Sequence, residues 1–197
     1  MVSIRLATTD DAPSCREIYA PYVRETAVTF EQSVPSPGEF RERMEQLLDS
    51  YPWLVSEHEN DICGYAYASP HRDRGAYQWS VESSVYVSES FHRSGIATAL
   101  YNALFAVLRE QGYVNVYAGT TLPNPPSVNF HQSIGFESVA RYPNAGYKSG
   151  EWHDVQWWHY PVQSPPDEPA PPTPIGEFAG TATLEDALAT GRDDITL

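Results

Sequence analysis

Runs of hydrophobic residues along this chain predict short strands that alternate with helices. Residues 81–87 are rich in valine and predict a central strand. After a polar turn, apolar residues recur with helical spacing from Ile96 to Leu108, and Gly112 ends the predicted helix. The other predicted elements are helices that begin near residues 10 and 36, a short helix that ends at residue 135, and strands at residues 2–6, 53–55, 63–68, 114–118, 136–142 and 155–160.

The turn between the central strand and its helix has the features of an anion-binding site. Gly95 permits a close approach of the backbone, Ala97 leaves space beside it, and Arg93 adds a positive charge. The first N–H groups of a helix have no partner inside the helix and attract anions. The turn therefore predicts a pyrophosphate site, although it matches neither the P-loop pattern nor the Gly-x-Gly-x-x-Gly pattern of dinucleotide-binding domains.

Residues 92–97 resemble the coenzyme A loop of the GCN5-related N-acetyltransferases, whose pattern is Gln/Arg-x-x-Gly-x-Gly/Ala. Here His92 takes the first place, Gly95 the middle place and Ala97 the last. Further blocks resemble the phosphinothricin acetyltransferase branch and its amino-acid-acetylating relatives, in the order and spacing of that branch, at residues 51–55, 75–87, 122–127, 131–136 and 146–154. The resemblance covers about residues 2–162.

This resemblance implies an α/β fold with a mixed, mainly antiparallel sheet and helices on both faces. The sheet should splay between the central strand and residues 114–118, where the cofactor enters. The implied activity is transfer of the acetyl group from acetyl-CoA to the amine of a small amino-acid-like substrate of the phosphinothricin, methionine sulfoximine or methionine sulfone type. We expect direct attack in a ternary complex, because no suitable cysteine nucleophile lies near the motifs. Related proteins form homodimers, so we expect a twofold dimer.

The resemblance also assigns contacts to the cofactor. The pyrophosphate is expected at Arg93, Ser94, Gly95, Ile96, Ala97 and Thr98. The pantetheine arm is expected to pair like an added strand with the backbone of Val85, Tyr86 and Val87. Further contacts are expected at Asn124 and Ser127.

Two residues are candidates for proton transfer. Glu82 lies within an otherwise apolar strand, where a carboxylate can accept the proton of the substrate ammonium group. Simple alternation places it on the face of Ser84 and Tyr86, unless a bulge changes the parity. His131 occupies the place of an acid that protonates the leaving thiolate in many relatives. The alternatives are a surface glutamate without chemistry and a histidine that only packs.

Binding of an anionic amino-acid substrate calls for positive charge and aromatic walls. Arg74 and Tyr77 precede the central strand at positions where relatives bind substrate, and Phe30 resembles an aromatic residue of the pocket wall. Arg72 matches the relatives less well, and a surface ion pair is the alternative for each arginine. Residues 153–154, a His-Asp pair, have no third ligand at a suitable spacing, so we expect no metal.

Composition narrows the possible partners. The net charge is −14, and Lys148 is the only lysine among 12 basic residues, which argues against binding of nucleic acids or anionic membranes. No apolar run approaches the roughly 20 residues of a membrane span, and no signal peptide precedes the first strand. Cys15 and Cys63 are typical of buried thiols in a reducing compartment. We therefore expect a cytoplasmic protein, and the scarcity of lysine suggests adaptation to high salt.

The composition changes after Gln163, which predicts an acetyltransferase domain at residues 1–163 and a tail at residues 164–197. Residues 164–174 are rich in proline and predict a stiff, extended linker. The tail carries seven acidic residues and one arginine, and one helical stretch at residues 184–188. A solvated or disordered extension is the main expectation, and docking on the same or a neighbouring subunit is the alternative.

Two other functions fit parts of the pattern. One is acetylation of a protein N-terminus or a polyamine, and the other is a non-catalytic module that senses coenzyme A. The presence of Glu82, Asn124 and His131 together favours an enzyme over a sensor.

Overall fold

A computed structural model of the protein describes residues 2–191 and Ile195. The strands are β1 Ser3–Leu6, β2 Trp53–His58, β3 Asp61–Pro70, β4 Ser80–Val87, β5 Asn115–Leu122, β6 Glu137–Lys148 and β7 Glu151–Pro161. The helices are α1 Ala12–Glu25, α2 Pro37–Leu48, α3 Ile96–Gln111, α4 Pro125–Ser133 and α5 Ala182–Ala189, with short 3₁₀ turns at Thr9–Asp11, Gly75–Tyr77, Glu89–Phe91 and Ile175–Phe178. Within the described residues the strands form one sheet in the order β1-β2-β3-β4-β5-β7-β6.

Helices cover both faces of this sheet because neighbouring residues of a strand point to opposite sides. On β2, Leu54 belongs to the core that α3 and α5 cover, whereas Trp53 and Val55 belong to the core beneath α1 and α2. The stripe of α3 that begins at Ile96 and includes Leu100 is almost completely buried. The predicted α/β fold with a mainly antiparallel sheet is therefore confirmed.

The sheet opens between β4 and β5. These strands run parallel and pair over only three positions: Ser80 with Asn115, Val81 with Val116, and Glu82 with Tyr117. Beyond that point β4 pairs with β3, and β5 pairs with β7, but the two strands no longer pair with each other. The predicted splay is confirmed, and it begins directly after Glu82.

The register between β3 and β4 has no shift from the Gly64–Val87 pair to the Pro70–Val81 pair. The bulge considered from the resemblance is therefore absent from this pairing, and simple alternation holds. Val81 lies in the core beneath α3. Tyr86, on the same face as Glu82, packs against the core of α1 and α2.

The last three strands are longer than the apolar pattern predicted. β5 continues to Leu122 because its polar residues pair with β7 as far as Asp154. The hairpin of β6 and β7 likewise continues through the Gly146–His153 and Lys148–Glu151 pairs. Cross-strand hydrogen bonds extend these strands where the hydrophobic alternation ends.

The described part of the tail docks on the domain, which corrects the expectation of a solvated extension. Ile175 and Leu184 are buried, and α5 packs along α3. The Gln111 side-chain amide donates hydrogen bonds to the carbonyl oxygens of Ser50 and Thr173, at 3.1 and 2.8 Å. A few apolar side chains therefore anchor an otherwise acidic segment. Residues 192–194 and 196–197 of the predicted tail lie outside the described residues, and the boundary after residue 163 stays a prediction.

In the part of the chain that the structure describes, no helix combines the length and the apolar character that crossing a membrane requires.

Candidate active site

The opening between β4 and β5 forms a cavity of about 890 Å³. One wall is the part of β4 that follows Glu82, and the turn before α3 and the start of α4 complete the lining. All but one of the predicted cofactor contacts line this cavity, namely Val85, Tyr86, Val87, Arg93, Gly95, Ile96, Ala97, Thr98, Asn124 and Ser127. Ser94 does not, because its side chain is buried and donates a hydrogen bond to the Phe91 carbonyl at 2.6 Å.

The turn before α3 exposes backbone N–H groups to the cavity. Arg93 and Gly95 both have a left-handed backbone, with φ of 65° and 82°. Gly95 is the N-cap of α3 and has no side chain to accept hydrogen bonds from the first turn. The first helical bond of this end joins the Ala99 N–H to the Gly95 carbonyl, at 2.9 Å. The N–H groups that precede Ala99 are therefore suited to binding an anion.

His92, which replaces the usual glutamine or arginine, braces the end of β4. Its Nε2 lies 3.1 Å from the Val87 carbonyl oxygen and 3.1 Å from the Tyr22 hydroxyl. The Tyr22 hydroxyl also donates to the Val87 carbonyl, at 2.7 Å. Sequence reasoning missed Tyr22, because α1 is distant in sequence and carries no motif that points to this strand.

Glu82 is the last residue of β4 that pairs with β5, and its side chain is 32% exposed. Its Oε1 atom accepts a hydrogen bond from His71 Nδ1 at 3.0 Å and lies 3.8 Å from Arg72 Nη1. The His71 ring stacks on Tyr117 with a centroid distance of 4.5 Å. Glu82 itself does not line the cavity, but the next residue, Ser83, does.

Sequence reasoning missed His71, although the strand register carries a signal for it. Ser69 lies opposite Glu82 in the antiparallel pair of β3 and β4. His71 follows Ser69 by two positions, so it is a diagonal neighbour of Glu82 on the same face. A correctly aligned hairpin would therefore have indicated the contact.

The predicted substrate residues do not all gather at Glu82. Tyr77 lies near it, with its ring 5.9 Å from the His71 ring. Arg72, which matched the relatives less well, is the arginine beside the carboxylate. Arg74 is exposed before the 3₁₀ turn, and none of the ion pairs among the described residues includes it.

Phe30 packs against the β6–β7 hairpin. A Cβ atom at Gly146 would overlap the Phe30 ring, so glycine is required for this contact. Beside it, the buried Lys148 ammonium donates hydrogen bonds to the carbonyl oxygens of Val23 and Thr29, at 2.8 and 2.7 Å. These two bonds hold both ends of a loop whose Val28 lines the cavity. The hairpin thereby positions one wall of the cavity.

His131 lines the cavity and is only 6% exposed. Its Nδ1 lies 2.8 Å from the Ser127 carbonyl oxygen, which can only accept, so this nitrogen carries the proton in the neutral ring. Burial lowers the pKa of His131 below its usual value of 6.5. The ring also stacks on Trp158. At neutral pH the free nitrogen of His131 is therefore an acceptor and not a donor.

The other polar residues singled out have structural partners. Asn124 lines the cavity, and its Oδ1 caps α4 by accepting a hydrogen bond from the Ser127 N–H at 3.2 Å, so the cap does not use its NH₂ group. His153 Nε2 lies 3.0 Å from the Lys148 carbonyl oxygen, and Asp154 Oδ2 accepts a hydrogen bond from Arg141 Nε at 2.7 Å. Among the described residues, no group of three or more His, Cys, Asp or Glu side chains is arranged to hold a metal ion.

The model of the acetyltransferase (GNAT) domain matches residues 4–157, most of the chain. The chain belongs to the GNAT acetyltransferase family. Among the relatives of this GNAT protein is the phosphinothricin N-acetyltransferase of Streptomyces viridochromogenes, which is 41% identical over 88% of this chain and 93% of that protein. The L-methionine sulfoximine/L-methionine sulfone acetyltransferase of Salmonella typhimurium is 31% identical over 78% of this chain and 91% of its own length.

Solved structures agree with this membership. The GNAT superfamily phosphinothricin acetyltransferase of Sinorhizobium meliloti, solved in complex with AcCoA, superposes with a TM-score of 0.80 at 30% identity. The alignment covers 88% of this chain and 97% of that one. The GNAT fold is therefore shared over nearly the whole of that neighbour.

Proposed function

We propose that this GNAT acyltransferase transfers the acetyl group of acetyl-CoA to the amine of a small amino-acid-like substrate, by direct attack in a ternary complex. The observation that carries the proposal is the opening of the sheet directly after Glu82. This opening leaves one edge of β4 beside a cavity that ends at the N-terminus of α3. The names of the relatives support a substrate of the phosphinothricin, methionine sulfoximine or methionine sulfone type.

The chain offers suitable groups for the pyrophosphate and the pantetheine arm of acetyl-CoA. The first N–H groups of α3 and the Arg93 guanidinium would bind the pyrophosphate. The exposed edge of β4 would pair with the amides of the pantetheine arm. The Asn124 NH₂ group and the Ser127 hydroxyl would add hydrogen bonds near the same arm.

The N–H of Val87 is the best-placed donor for the thioester oxygen. The next N–H, that of Ser88, donates to the Cys63 carbonyl on β3 at 2.8 Å. Since N–H directions alternate along an antiparallel strand, the Val87 N–H points away from β3 and towards the cavity. The Val87 carbonyl already accepts a bond from Tyr22, so the N–H is the group left for the ligand. A fixed donor of this kind stabilises a developing oxyanion by about 3 kcal/mol.

Glu82 would accept the proton of the substrate ammonium group. Its Oε1 is bonded to His71, so Oε2 is the oxygen left for the amine. The nitrogen then bonds to the acetyl carbon, and the carbon–sulfur bond breaks with its electron pair going to the thiolate. The nitrogen loses its second proton to the departing thiolate or to solvent, which completes the amide. Arg72 and Tyr77 near Glu82 would bind the acidic group of the substrate, and contributions from Arg74 and Phe30 stay predictions.

The two candidate roles of His131 are an acid towards the thiolate and a packing residue, and its protonation state distinguishes them. An acid towards the thiolate must be protonated, whereas burial favours the neutral ring and its Nδ1 proton is bonded to Ser127. These observations support a packing role that shapes the cavity near Ser127. A coenzyme A thiolate is a good enough leaving group to depart without an acid.

The partners of the enzyme are proposed from its surface. β6 is an outer strand of the sheet, and exposed apolar side chains lie on β6 and β7, namely Val139, Tyr142, Tyr147 and Trp152. An unpaired strand edge with exposed aromatic side chains can pair with another chain, which supports the expected homodimer. The net charge of −14 supports the expectation that neither nucleic acid nor an anionic membrane is bound. The cytoplasmic location and the absence of a metal cofactor stay predictions.

Release of the coenzyme A thiol, measured against a panel of amines, tests the function. The panel should include phosphinothricin, methionine sulfoximine, methionine sulfone, a polyamine and a peptide N-terminus, with products identified by mass spectrometry. We expect the first three to be acetylated, and Glu82→Gln to lose turnover while acetyl-CoA binding is retained. An active polyamine or peptide would change the substrate class. Tight acetyl-CoA binding without any amine-dependent thiol release would instead indicate a sensor.

A further inference from the structure

The carboxylate of Glu82 is held by a neighbouring histidine. His71 Nδ1 lies 3.0 Å from Glu82 Oε1, and a carboxylate oxygen only accepts hydrogen bonds. The geometry therefore places the ring proton of His71 on Nδ1. The histidine follows the end of β3, so neither the cofactor loop nor the helix motifs include it.

The His71 ring is itself fixed on several sides. It stacks on Tyr117 at 4.5 Å with an interplanar angle of 22°, and the edges of Tyr77 and Trp157 approach it at 5.9 and 6.4 Å. Only 14% of its side chain is exposed, compared with 32% for Glu82. Tyr117 is also the backbone partner of Glu82 in the last pair of β4 and β5. One strand pair thus positions both the carboxylate and the ring that bonds it.

A partly exposed glutamate without such a partner would populate several rotamers. A general base must lie within about 2.6–3.2 Å of the proton that it removes. A misplacement of about 1 Å can lower the rate of a positioned reaction by about 100-fold. Among the described residues, the other ion-pair partner of this carboxylate is the Arg72 guanidinium, whose distance of 3.8 Å from the same oxygen is too long for a hydrogen bond. His71 is therefore the group that can set the orientation of the carboxylate.

We propose that His71 is a positioning residue for the reaction: its Nδ1–H holds Glu82 Oε1 and directs Oε2 towards the substrate amine. This inference rests on the proposed function, because it assigns to Glu82 the role of base. A different role for His71 is packing, in which only the flat ring between the aromatic side chains matters. The two roles need different parts of the side chain, so substitutions can separate them.

Two substitutions of His71 distinguish positioning of Glu82 from packing. His71→Asn keeps an N–H donor near the place of Nδ1 but removes the ring, whereas His71→Phe keeps a stacking ring and removes the donor. If His71 positions Glu82, we expect His71→Phe to lower kcat by about 10–100-fold with the KM for acetyl-CoA changed less than about twofold. His71→Asn should recover most of that loss. If His71 only packs, His71→Asn should lose more kcat than His71→Phe, and that result would overturn the proposal.

The double variant tests whether His71 acts through Glu82. With glutamine at position 82 the base is absent, so the further change His71→Phe should lower kcat by less than about twofold. If both losses multiply fully, His71 acts independently of Glu82 and the proposal is wrong. Thermal unfolding of each variant shows whether a loss of rate reflects a loss of fold.

NMR of the full-length protein gives a readout that does not depend on turnover. Long-range ¹H–¹⁵N spectra report which ring nitrogen carries the proton, and the His71 signals are assigned by their absence from His71→Asn. We expect the Nδ1–H form in the wild type and the Nε2–H form in Glu82→Ala. Wild-type protein in the Nε2–H form would refute the hydrogen bond and the proposal with it. Failure of the proposed function looks different, because no amine would then be acetylated while the Nδ1–H form persists.

Discussion

Lys148 offers a test of how the β6–β7 hairpin holds the wall of the cavity. Only 6% of Lys148 is exposed, and its ammonium group donates hydrogen bonds to the carbonyl oxygens of Val23 and Thr29. Val23 lies in the last turn of α1, where the helix dipole favours a cation. Replacement by methionine keeps an apolar chain of similar length but leaves both carbonyls without this donor.

The expected loss follows from two charge-assisted hydrogen bonds. Each such bond contributes about 1.5–3 kcal/mol, so the pair contributes about 3–6 kcal/mol. The methionine variant recovers part of this free energy, because it no longer buries an ammonium group, and that burial costs several kcal/mol. The same burial lowers the pKa of Lys148 below its usual value of 10.5. We therefore expect a net loss of about 2–3 kcal/mol, which corresponds to a fall in Tm of about 4–12 °C for a chain of this size.

Urea and thermal unfolding, followed by tryptophan fluorescence, measure this loss. Arg41→Met is the matched control, because it also removes a cation, but from an exposed pair with Asp10 at 3.5 Å. Such a pair contributes less than about 1 kcal/mol. The KM for acetyl-CoA should also rise in Lys148→Met, since Val28 lines the cavity. Equal stability of the two variants, within about 0.5 kcal/mol, would refute the role assigned to Lys148.

Four further predictions concern pH, packing and salt. The Arg5 guanidinium lowers the pKa of Asp11 below 3.8, so the stabilisation by this pair is fully present above pH 3.8 and is lost as the pH falls towards the lowered pKa. Asp11→Asn should therefore lower the free energy of unfolding by about 1–2 kcal/mol at pH 7 and by progressively less below pH 3.8, as measured by urea titrations over this pH range. Burial lowers the pKa of His131, so the unfolded chain binds a proton at this side chain more readily than the folded chain does, and the stability of the wild type should fall as the pH drops below 6.5. The stability of His131→Phe should fall less over the same pH range. If this variant also has an unchanged kcat, His131 does not act as an acid. Gly146→Ala should displace the Phe30 ring, because the added Cβ atom would overlap it. If Phe30 forms a wall of the substrate pocket, kinetics with the amine panel should show a higher KM for the amine and little change in the KM for acetyl-CoA. Finally, if the net charge of −14 reflects adaptation to salt, Tm should rise from dilute buffer to molar salt, and a constant Tm would remove that hypothesis.

The sequence by itself determined the elements that depend on local signals. The valine-rich run of β4, the left-handed Gly95 and the apolar stripe of α3 each specify their structure within a few residues. Because the predicted cofactor contacts belong mostly to this contiguous strand–turn–helix unit, all of them except Ser94 line one cavity. The family motifs extended the same inference to Asn124 and Ser127 at the start of α4.

Only the tertiary structure decided the contacts between distant segments. The bond between His71 and Glu82 depends on the register of β3 against β4, which composition does not reveal. The same holds for Lys148, whose partners lie more than 100 residues earlier in the chain, and for the docked tail, whose few apolar residues need the surface of α3. Local propensity sets where a strand or a helix forms. The orientation of the Glu82 side chain depends on which other segments the completed sheet brings beside it.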